Sequence, residues 1–486
     1  MKQRYIYIAA ALLAFGVTGV RSSEVQTNVS SEVSEAPAIF DSQPSTLSSD
    51  TTSILSTLHS ETLQASKEAR PQTLQECLEK GLNKNYSLRI IRNEEQMAAN
   101  NATMENAGLL PSVSLSAGYS GSIYGNNITP REGDVTKNRG TYDDGIDAGI
   151  DVSWTLFDGF KIQTNYARLK ELEKQGETLT RIAIEDFIAE LTSEYYNYIQ
   201  QQIRLKNFRY AMSLSKERLR IVEERYIVGN FSRLDLQQAR VDYNADRAQY
   251  MKQQESVKSS RIRLNELMAN DNMSQDITVN DSIIDLNTLL TFDDLWQSTL
   301  NNNASLLKSE QSKNLASLEM KAVKSRNYPY LKLNAGYGYT INKYEISSTS
   351  RRDNLGMNFG VTMGFNLFDG NRKREIKNAR IAIENAQLQQ EDLRQALNAD
   401  LSNLWQAYQN NIEMLKLERE NLIAAIENHE IASERYMLGN LSGIEMREAQ
   451  KSLLDAEERI LEAEYDTKMC EISLLQLSGK ITKYLE

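Results

Sequence analysis

Two long stretches of the chain repeat apolar residues with the period of an α-helix. Residues 160–228 and 371–438 contain no proline, and the only glycine in either stretch is Gly176. Most apolar positions of the second stretch are three, four or seven residues apart, as in a coiled-coil seam: Ile376, Ala379, Ile383, Ala386, Leu393, Leu397, Leu401, Leu404, Tyr408 and Leu415. Each stretch predicts a helix of about 68 residues, which would be about 100 Å long.

Both predicted helices end in the same kind of turn. The two turns read RYIVGNFSRLDL, at 225–236, and RYMLGNLSGIEM, at 435–446. A glycine is the residue most often found just after the end of a helix. In the first repeat the tip turn is assigned to residues 229–231 and the return helix to residues 232–270. In the second repeat the tip turn is assigned to residues 439–440 and the return helix to residues 441–478. The sequence therefore predicts two long helical hairpins, because helices of this length do not fit a compact bundle.

The two hairpins belong to an internal duplication. Three landmarks recur in the same order: the prolines that end the opening helices (329 − 111 = 218), the LFDG tetrapeptides (367 − 156 = 211) and the tip glycines (439 − 229 = 210). Landmarks in matching order indicate a repeated structural unit. We assign the first repeat to residues 73–280 and the second to residues 281–480, where the opening helix covers 292–326.

Four segments between the opening helices and the LFDG tetrapeptides alternate apolar and polar residues. They predict two β-hairpins, over 112–157 and 330–368. The apolar positions are Val113, Leu115, Ala117 and Tyr119; Ile146, Ala148, Ile150, Val152, Trp154 and Leu156; Leu331, Leu333, Ala335, Tyr337 and Tyr339; and Leu355, Met357, Phe359, Val361, Met363, Phe365 and Leu367. Strands of about ten residues can cross a bilayer when tilted. One such strand also fits a soluble sheet, but four with aromatic residues near their ends favour a membrane.

Four strands cannot close a membrane barrel, because the smallest barrels have about eight. An open sheet edge in lipid would leave backbone N–H and C=O groups without partners. The chain is therefore expected to oligomerise. Two copies would give eight strands and little lumen, whereas three copies would give twelve strands and a water-filled pore. Three copies are favoured, since their twelve helices can also enclose a channel.

The N-terminus and the composition limit the function classes. Residues 1–22 combine two basic residues with a short apolar run, which is typical of a secretory signal peptide, with an N-terminal anchor as the alternative. Residues 23–72 are rich in Ser, Thr and Glu and predict a disordered tail. The net charge of −11 argues against a nucleic-acid partner. The chain has only two cysteines and two histidines, and it shows no nucleophile–base pair or metal-ligand cluster. We expect neither an enzyme nor a cofactor.

The order of these elements resembles the TolC-type outer-membrane efflux proteins. The resemblance is carried by LPSVSLSAGY, LFDG and ERYIVGNFSRLDLQQARVDY, each followed by its second copy, and it covers about residues 73–480. It implies a mixed fold, with long α-helical hairpins in a periplasmic α-barrel and four strands per chain in a twelve-stranded trimeric β-barrel. It also implies a homotrimer in the cell outer membrane. The implied partners are a periplasmic adaptor protein and an inner-membrane pump of the RND or ABC type.

The resemblance assigns a periplasmic gate to four residues. Asp235 matches an acid that helps to hold the tip closed, and Tyr436 matches a tyrosine that bonds to this acid. Glu445 and Glu448 match two acids, usually Asp in the family, that ring the narrowest point.

Other positions of the tips also match the family, with one departure. The adaptor-contact positions are Gly229, Asn230, Gly439 and Asn440. Leu441 replaces the gate arginine of the family, which puts the inter-subunit salt link in doubt. Arg233 and Arg447 are the candidates to replace that arginine.

The acidic residues can also be considered without the resemblance. Glu445 and Glu448 are three residues apart and so share a helix face. A trimer would place six such carboxylates around one axis, where they would attract cations; an ordinary solvated helix face is the alternative. Asp147, Asp151 and Lys332 lie at polar strand positions and are candidate charges of the barrel lumen, where the two acids would give a mild cation preference. Simple hydration of a loop is the alternative for these acids.

For three further residues we expect no functional role. We expect Cys77 and Cys470 to be unpaired helix cysteines, with a disulfide in an oxidising periplasm as the alternative. We expect His429 to be a surface residue of the second long helix.

The predicted function is an exit duct that conducts drugs or other small molecules passively from an inner-membrane pump to the outside. The exit duct of a type I protein secretion system is the nearest alternative. A trimeric surface adhesin would need contiguous strands at the C-terminus, and a periplasmic coiled-coil scaffold gives no reason for four alternating strands.

Overall fold

The computed structural model of the chain describes residues 72–279, 284–286 and 289–485. The predicted signal peptide, residues 1–22, lies outside the described residues, as does the predicted tail over 23–72 apart from Gln72. The described part contains two long helical hairpins and one four-stranded sheet, so the mixed fold class is confirmed. No helix in the described ranges is both long enough and apolar enough to span a bilayer.

Apart from one short helix in the first repeat and a final 3₁₀ turn in the second, the described residues of the two repeats form corresponding elements in the same order. The first repeat contains α1 (Leu74–Lys84), α2 (Tyr86–Asn101), α3 (Met104–Ala107), β1 (Ser112–Ile128), β2 (Thr136–Asp158), α4 (Lys161–Ile227) and α5 (Arg233–Leu267). The second repeat contains α6 (Phe292–Asn302), α7 (Ala304–Ser325), β3 (Tyr330–Lys343), β4 (Arg351–Gly364), α8 (Gly370–Met437), α9 (Gly443–Leu477) and a 3₁₀ turn at Ile481–Leu485. Helices α4 and α8 contain 67 and 68 residues, so each extends for about 100 Å.

An asparagine interrupts the opening helix of each repeat, where the sequence predicts a continuous helix. Asn85 separates α1 from α2, and Asn303 separates α6 from α7. Each asparagine Oδ1 accepts hydrogen bonds from backbone N–H groups two and three residues further on, which caps the following helix. Each Nδ2 donates to a carbonyl at the end of a return helix, at 3.2 Å to Leu267 and at 3.0 Å to Leu477. The two asparagines thus hold three helix ends together in each repeat.

The sheet has the order β1-β2-β3-β4, and neighbouring strands are antiparallel. The register brings the polar positions of all four strands to one face, in rows such as Ser116, Gly149, Gly338 and Gly356, and Ser114, Asp151, Gly336 and Asn358. The opposite face is exposed and apolar over most of its length, as at Leu115 (81%) and Phe359 (80%), with charged residues such as Asp353 only toward one end. Glycine allows close approach of neighbouring strands on the polar face, since a Cβ atom on Gly149 would lie 3.2 Å from both the Gly338 Cα and the Tyr337 carbonyl oxygen.

The main core lies where α1, the middle of α4 and the ends of α5 and α9 meet. Its fully buried side chains include Leu78, Leu191, Tyr195 and Leu264. Burial of one such leucine contributes about 1.5–3 kcal/mol. Toward the tips the core narrows to seams of small and apolar residues, such as Ala425 against Ala456 between α8 and α9. Small seam residues allow the paired helices to pack closely along their whole length.

Candidate functional site at the helical tips

The turns at the two tips have the same backbone geometry. Gly229 and Gly439 adopt positive φ angles of 81° and 78°. Asn230 N–H donates to the Arg225 carbonyl and Asn440 N–H to the Arg435 carbonyl, each at 2.9 Å. This bond, five residues back, together with the left-handed glycine, forms a Schellman motif. The motif explains why both turns have a glycine at this position, because a residue with a side chain is strained there.

Two of the predicted gate acids cap the return helices. Asp235 accepts hydrogen bonds from Ser232 N–H (3.0 Å) and Oγ (2.7 Å), and the Ser232 Oγ accepts from Asp235 N–H. Glu445 makes the same reciprocal contacts with Ser442. These are capping boxes, which satisfy backbone donors at the start of a helix. Hydrogen bonds from the Ser442 backbone and side chain lower the pKa of Glu445.

Tyr436 is buried at the base of the second tip, with 2% of its surface exposed. Its Oη atom has no hydrogen-bond partner in the described residues, so the bond to Asp235 implied by the resemblance is absent from this structure. Asp235 is held by Ser232 instead. Burial raises the pKa of Tyr436 above its usual value. The Arg225 guanidinium lies 5.6 Å from the centre of the Tyr436 ring.

One ion pair and one hydrogen bond within the chain connect the first hairpin to the start of α9, and a second ion pair joins the two helices of the first hairpin. Arg447 donates two hydrogen bonds to Asp246, at 2.6 and 2.7 Å. Arg218 pairs with Asp242 and also donates to the Gly443 carbonyl at 3.3 Å. Both pairs are largely buried: the Asp246 and Arg218 side chains are each 4% exposed. The pair of Arg447 with Asp246 and the hydrogen bond from Arg218 to Gly443 hold the tips of the two hairpins side by side.

Arg447 was one candidate for the missing inter-subunit arginine, and the structure gives it a partner in its own chain instead. Arg233, the other candidate, is exposed. The role of Asp246 was not found from the sequence, although a signal exists. At the 210-residue offset of the repeat, Asp246 corresponds to Ala456 (456 − 246 = 210), which is fully buried. A charged residue at a seam position occupied by alanine in the other repeat indicates a buried charge that needs a partner.

Large apolar side chains surround both tip turns and are exposed to solvent. They are Ile227 (83%), Val228 (73%) and Leu234 (77%) on the first tip, and Met437 (62%), Leu438 (76%) and Ile444 (79%) on the second. Exposed apolar groups at the end of a long helical structure are typical of a protein–protein contact. The glycines and asparagines of the turns lie among them.

The remaining predicted site residues lie at separate places. Glu448 is exposed on α9, one turn after the capping residue Glu445. The register places Asp147, Asp151 and Lys332 on the polar face of the sheet, and Asp151 accepts a hydrogen bond from Ser116 Oγ at 3.2 Å. These three charges lie in the sheet, whose strands come before the long helix in each repeat, whereas the tip turn follows that helix. The charges therefore belong to a different part of the molecule.

Two minor expectations can be compared with the structure. No disulfide joins Cys77, which is buried in the main core, to Cys470, which is half-buried on α9. The prediction that His429 is a surface residue is wrong, because only 8% of it is exposed. It occupies a seam position of α8 between Ala425 and Ala432, where burial lowers its pKa.

The described fold is that of an outer-membrane channel protein with long helical hairpins. A solved membrane protein from Pseudomonas aeruginosa superimposes with a TM-score of 0.68 at 17% identity, covering 84% of this chain and 90% of that chain. The Campylobacter jejuni CmeC outer membrane channel gives a TM-score of 0.67 at 20% identity, covering 84% and 85%. In sequence, the outer membrane protein TolC of Vibrio cholerae is 22% identical over 390 residues, which are 78% of this chain and 84% of that protein.

The family follows from a match in two segments. Residues 77–270 and 295–480 match the model of the outer membrane efflux protein family. The chain therefore belongs to this family of channels, and its place is the outer membrane, with an extension into the periplasm. The two matched segments correspond to the two halves of the internal duplication.

Proposed function

We propose that three copies of the chain form the exit duct of a tripartite efflux system. The observation that carries the proposal is the sheet: four strands with one mostly apolar face, one polar face and two free edges. Three sheets joined edge to edge would give a closed barrel of twelve strands with a polar lumen. The paired helices would continue this lumen for about 100 Å into the periplasm.

Conductance in planar lipid bilayers tests this proposal. The purified chain should form channels of uniform conductance, and it should run as a trimer in detergent. A monomer that never conducts ions would contradict the proposal.

In the proposed trimer, Glu445 and Glu448 surround the narrowest point of the channel and form its gate. Replacing Glu445 by alanine would also remove its capping box, so the informative variant is Glu445→Gln with Glu448→Gln, because glutamine still caps a helix at this position. We expect higher conductance and weaker block by multivalent cations, since a ring of carboxylates is removed. The control is Glu420→Gln, an exposed acid in the shaft of α8. Equal effects of the two changes would remove the ring from the proposal.

The exposed apolar groups of the tips support docking of a periplasmic adaptor, which would link the channel to an inner-membrane pump. Changing Val228 and Leu438 to serine should weaken capture of the adaptor encoded beside this chain, with channel conductance unchanged. If the serine variant captures the adaptor as well as the unchanged protein does, the adaptor does not dock on these apolar groups. The same assay with adaptors from drug pumps and from protein exporters distinguishes an efflux duct from a type I secretion duct.

A further inference from the structure

A cleft of about 470 Å³ lies between the tips of the two hairpins. We call it the tip cleft; its apolar walls are Val222, Phe231, Leu234 and Ile444, and its polar walls include Arg218 and Tyr436. Both hairpins contribute to it, so any occupant touches both. Its size is within the range of about 300–1,000 Å³ that is usual for small-molecule pockets.

Most polar groups of the tip cleft already have partners in the chain. Asp235 is held by Ser232, and Asp242 accepts from Arg218 and Gln238. Arg447 is bound to Asp246. These groups therefore have little hydrogen-bonding capacity left for a ligand.

Two polar atoms in the walls of the tip cleft are unsatisfied. They are Tyr436 Oη and Arg218 Nε, on side chains that are more than nine-tenths buried. Arg218 Nε can only donate a hydrogen bond, and Tyr436 Oη can donate or accept one. The group that complements both is an acceptor such as a carbonyl oxygen. A buried donor without a partner costs free energy, so a ligand that supplies an acceptor recovers this free energy on binding.

The charges of the tip cleft restrict the ligand further. Arg218 and Arg447 are each paired with an aspartate of the same chain, whereas Glu448 also lines the cleft and is exposed. An anion would be repelled by this carboxylate. An apolar molecule with one acceptor oxygen and no negative charge fits the walls best.

We propose that the tip cleft binds small neutral amphiphiles, such as aryl ketones, with the carbonyl oxygen toward Tyr436 and Arg218. Both wall atoms are shielded from solvent, so binding requires the Tyr436 and Arg218 side chains to shift and open these atoms to the cleft. Because the ligand contacts both hairpins, it stabilises the side-by-side arrangement of the tips seen here. This inference goes beyond the proposed function and does not depend on conduction.

Photolabelling of the full-length protein in nanodiscs tests the proposal, with benzophenone as the probe. On irradiation this aryl ketone attaches to nearby C–H groups, and mass spectrometry identifies the labelled peptides. We expect saturable labelling of peptides that contain residues 222–236 and 436–447. Fluorenone should compete about tenfold better than fluorene, which has the same shape without the carbonyl. Labelling confined to the sheet, or equal competition by both compounds, would overturn the proposal.

A pair of tyrosine variants makes the test specific to the cleft. Tyr436→Phe removes only the unsatisfied hydroxyl and should weaken labelling and fluorenone competition about tenfold. Tyr226→Phe is the matched control, since Tyr226 is the equivalent residue of the first repeat (436 − 226 = 210) and is 39% exposed. Equal effects of the two variants would also overturn the proposal. Bilayer conductance of the same samples separates this result from the proposed function, because a conducting protein without specific labelling contradicts the cleft alone.

Discussion

The buried ion pair between Arg447 and Asp246 gives the sharpest test of how the two hairpins are held together. In the variant Arg447→Met, the Asp246 carboxylate loses both of its hydrogen bonds, at 2.6 and 2.7 Å. The Asp246 side chain is 4% exposed, and that of Arg447 is 29% exposed. Leaving one member of a buried pair alone costs about 3–5 kcal/mol. The partial exposure of Arg447 lets water approach, so we expect the lower end, about 3 kcal/mol.

Native-state hydrogen exchange of the protein in nanodiscs measures this cost locally. About 3 kcal/mol corresponds to a loss of amide protection of about two orders of magnitude. The loss should be confined to the tip-proximal parts of α5 and α9, which the pair connects. The double variant Asp246→Ala with Arg447→Met should recover most of the protection, because it puts the alanine of the second repeat at the seam.

The control is Arg240→Met, which breaks the exposed pair between Arg240 and Glu223. These side chains are 50% and 43% exposed, so the expected cost is below about 1 kcal/mol. If Arg447→Met lowers protection no more than this control does, Asp246 does not depend on Arg447, and the argument from burial is wrong.

Three other predictions concern the repeats and the pH dependence. Ala269 has a φ of 50° at the end of α5, where the second repeat has Gly479; Ala269→Gly should raise the unfolding free energy by about 1 kcal/mol and Gly479→Ala should lower it, as measured by thermal denaturation. Asn303→Ala should lower the protection of α7 and of the end of α9 by about 2 kcal/mol in hydrogen exchange, since a cap and a side-chain hydrogen bond are lost. Burial lowers the pKa of His429, so the unfolded state binds its proton first, and local stability should fall as the pH drops from about 7.5 to 5.5. In the variant His429→Phe, hydrogen-exchange protection should no longer fall over this pH range. If the fall in protection is unchanged, groups other than His429 cause it.

The elements themselves could be predicted from local patterns. The apolar period of α4 and α8, the glycines that end them and the alternation of the four strands each follow from a rule that acts within a few residues. The interruption at Asn85 and Asn303 was missed, although N-x-S-L occurs at both sites (303 − 85 = 218). The reason is that the asparagine also contacts the end of a return helix, roughly 180 residues away in sequence, and that contact cannot be read from the local pattern.

The candidate site could be predicted in part. The resemblance identified the tip residues, but not the partners that they have in this chain. Asp235 and Glu445 cap their own helices, a role that Ser232 and Ser442 indicate by the spacing of a capping box. His429 was misjudged because it was considered as a single residue, whereas its distances of four residues from Ala425 and three from Ala432 are those of a coiled-coil seam.

The sequence alone determined the duplication, the lengths of the hairpins and the two faces of every strand, because these depend on periodicity and on turn residues. Only the tertiary structure decided which charges meet, since Arg447 and Asp246 are about two hundred residues apart in sequence (447 − 246 = 201) and are paired by the packing of one hairpin on the other. The strand register was decided in the same way. It places the polar positions of four separate segments on one face through backbone hydrogen bonds that no single segment specifies.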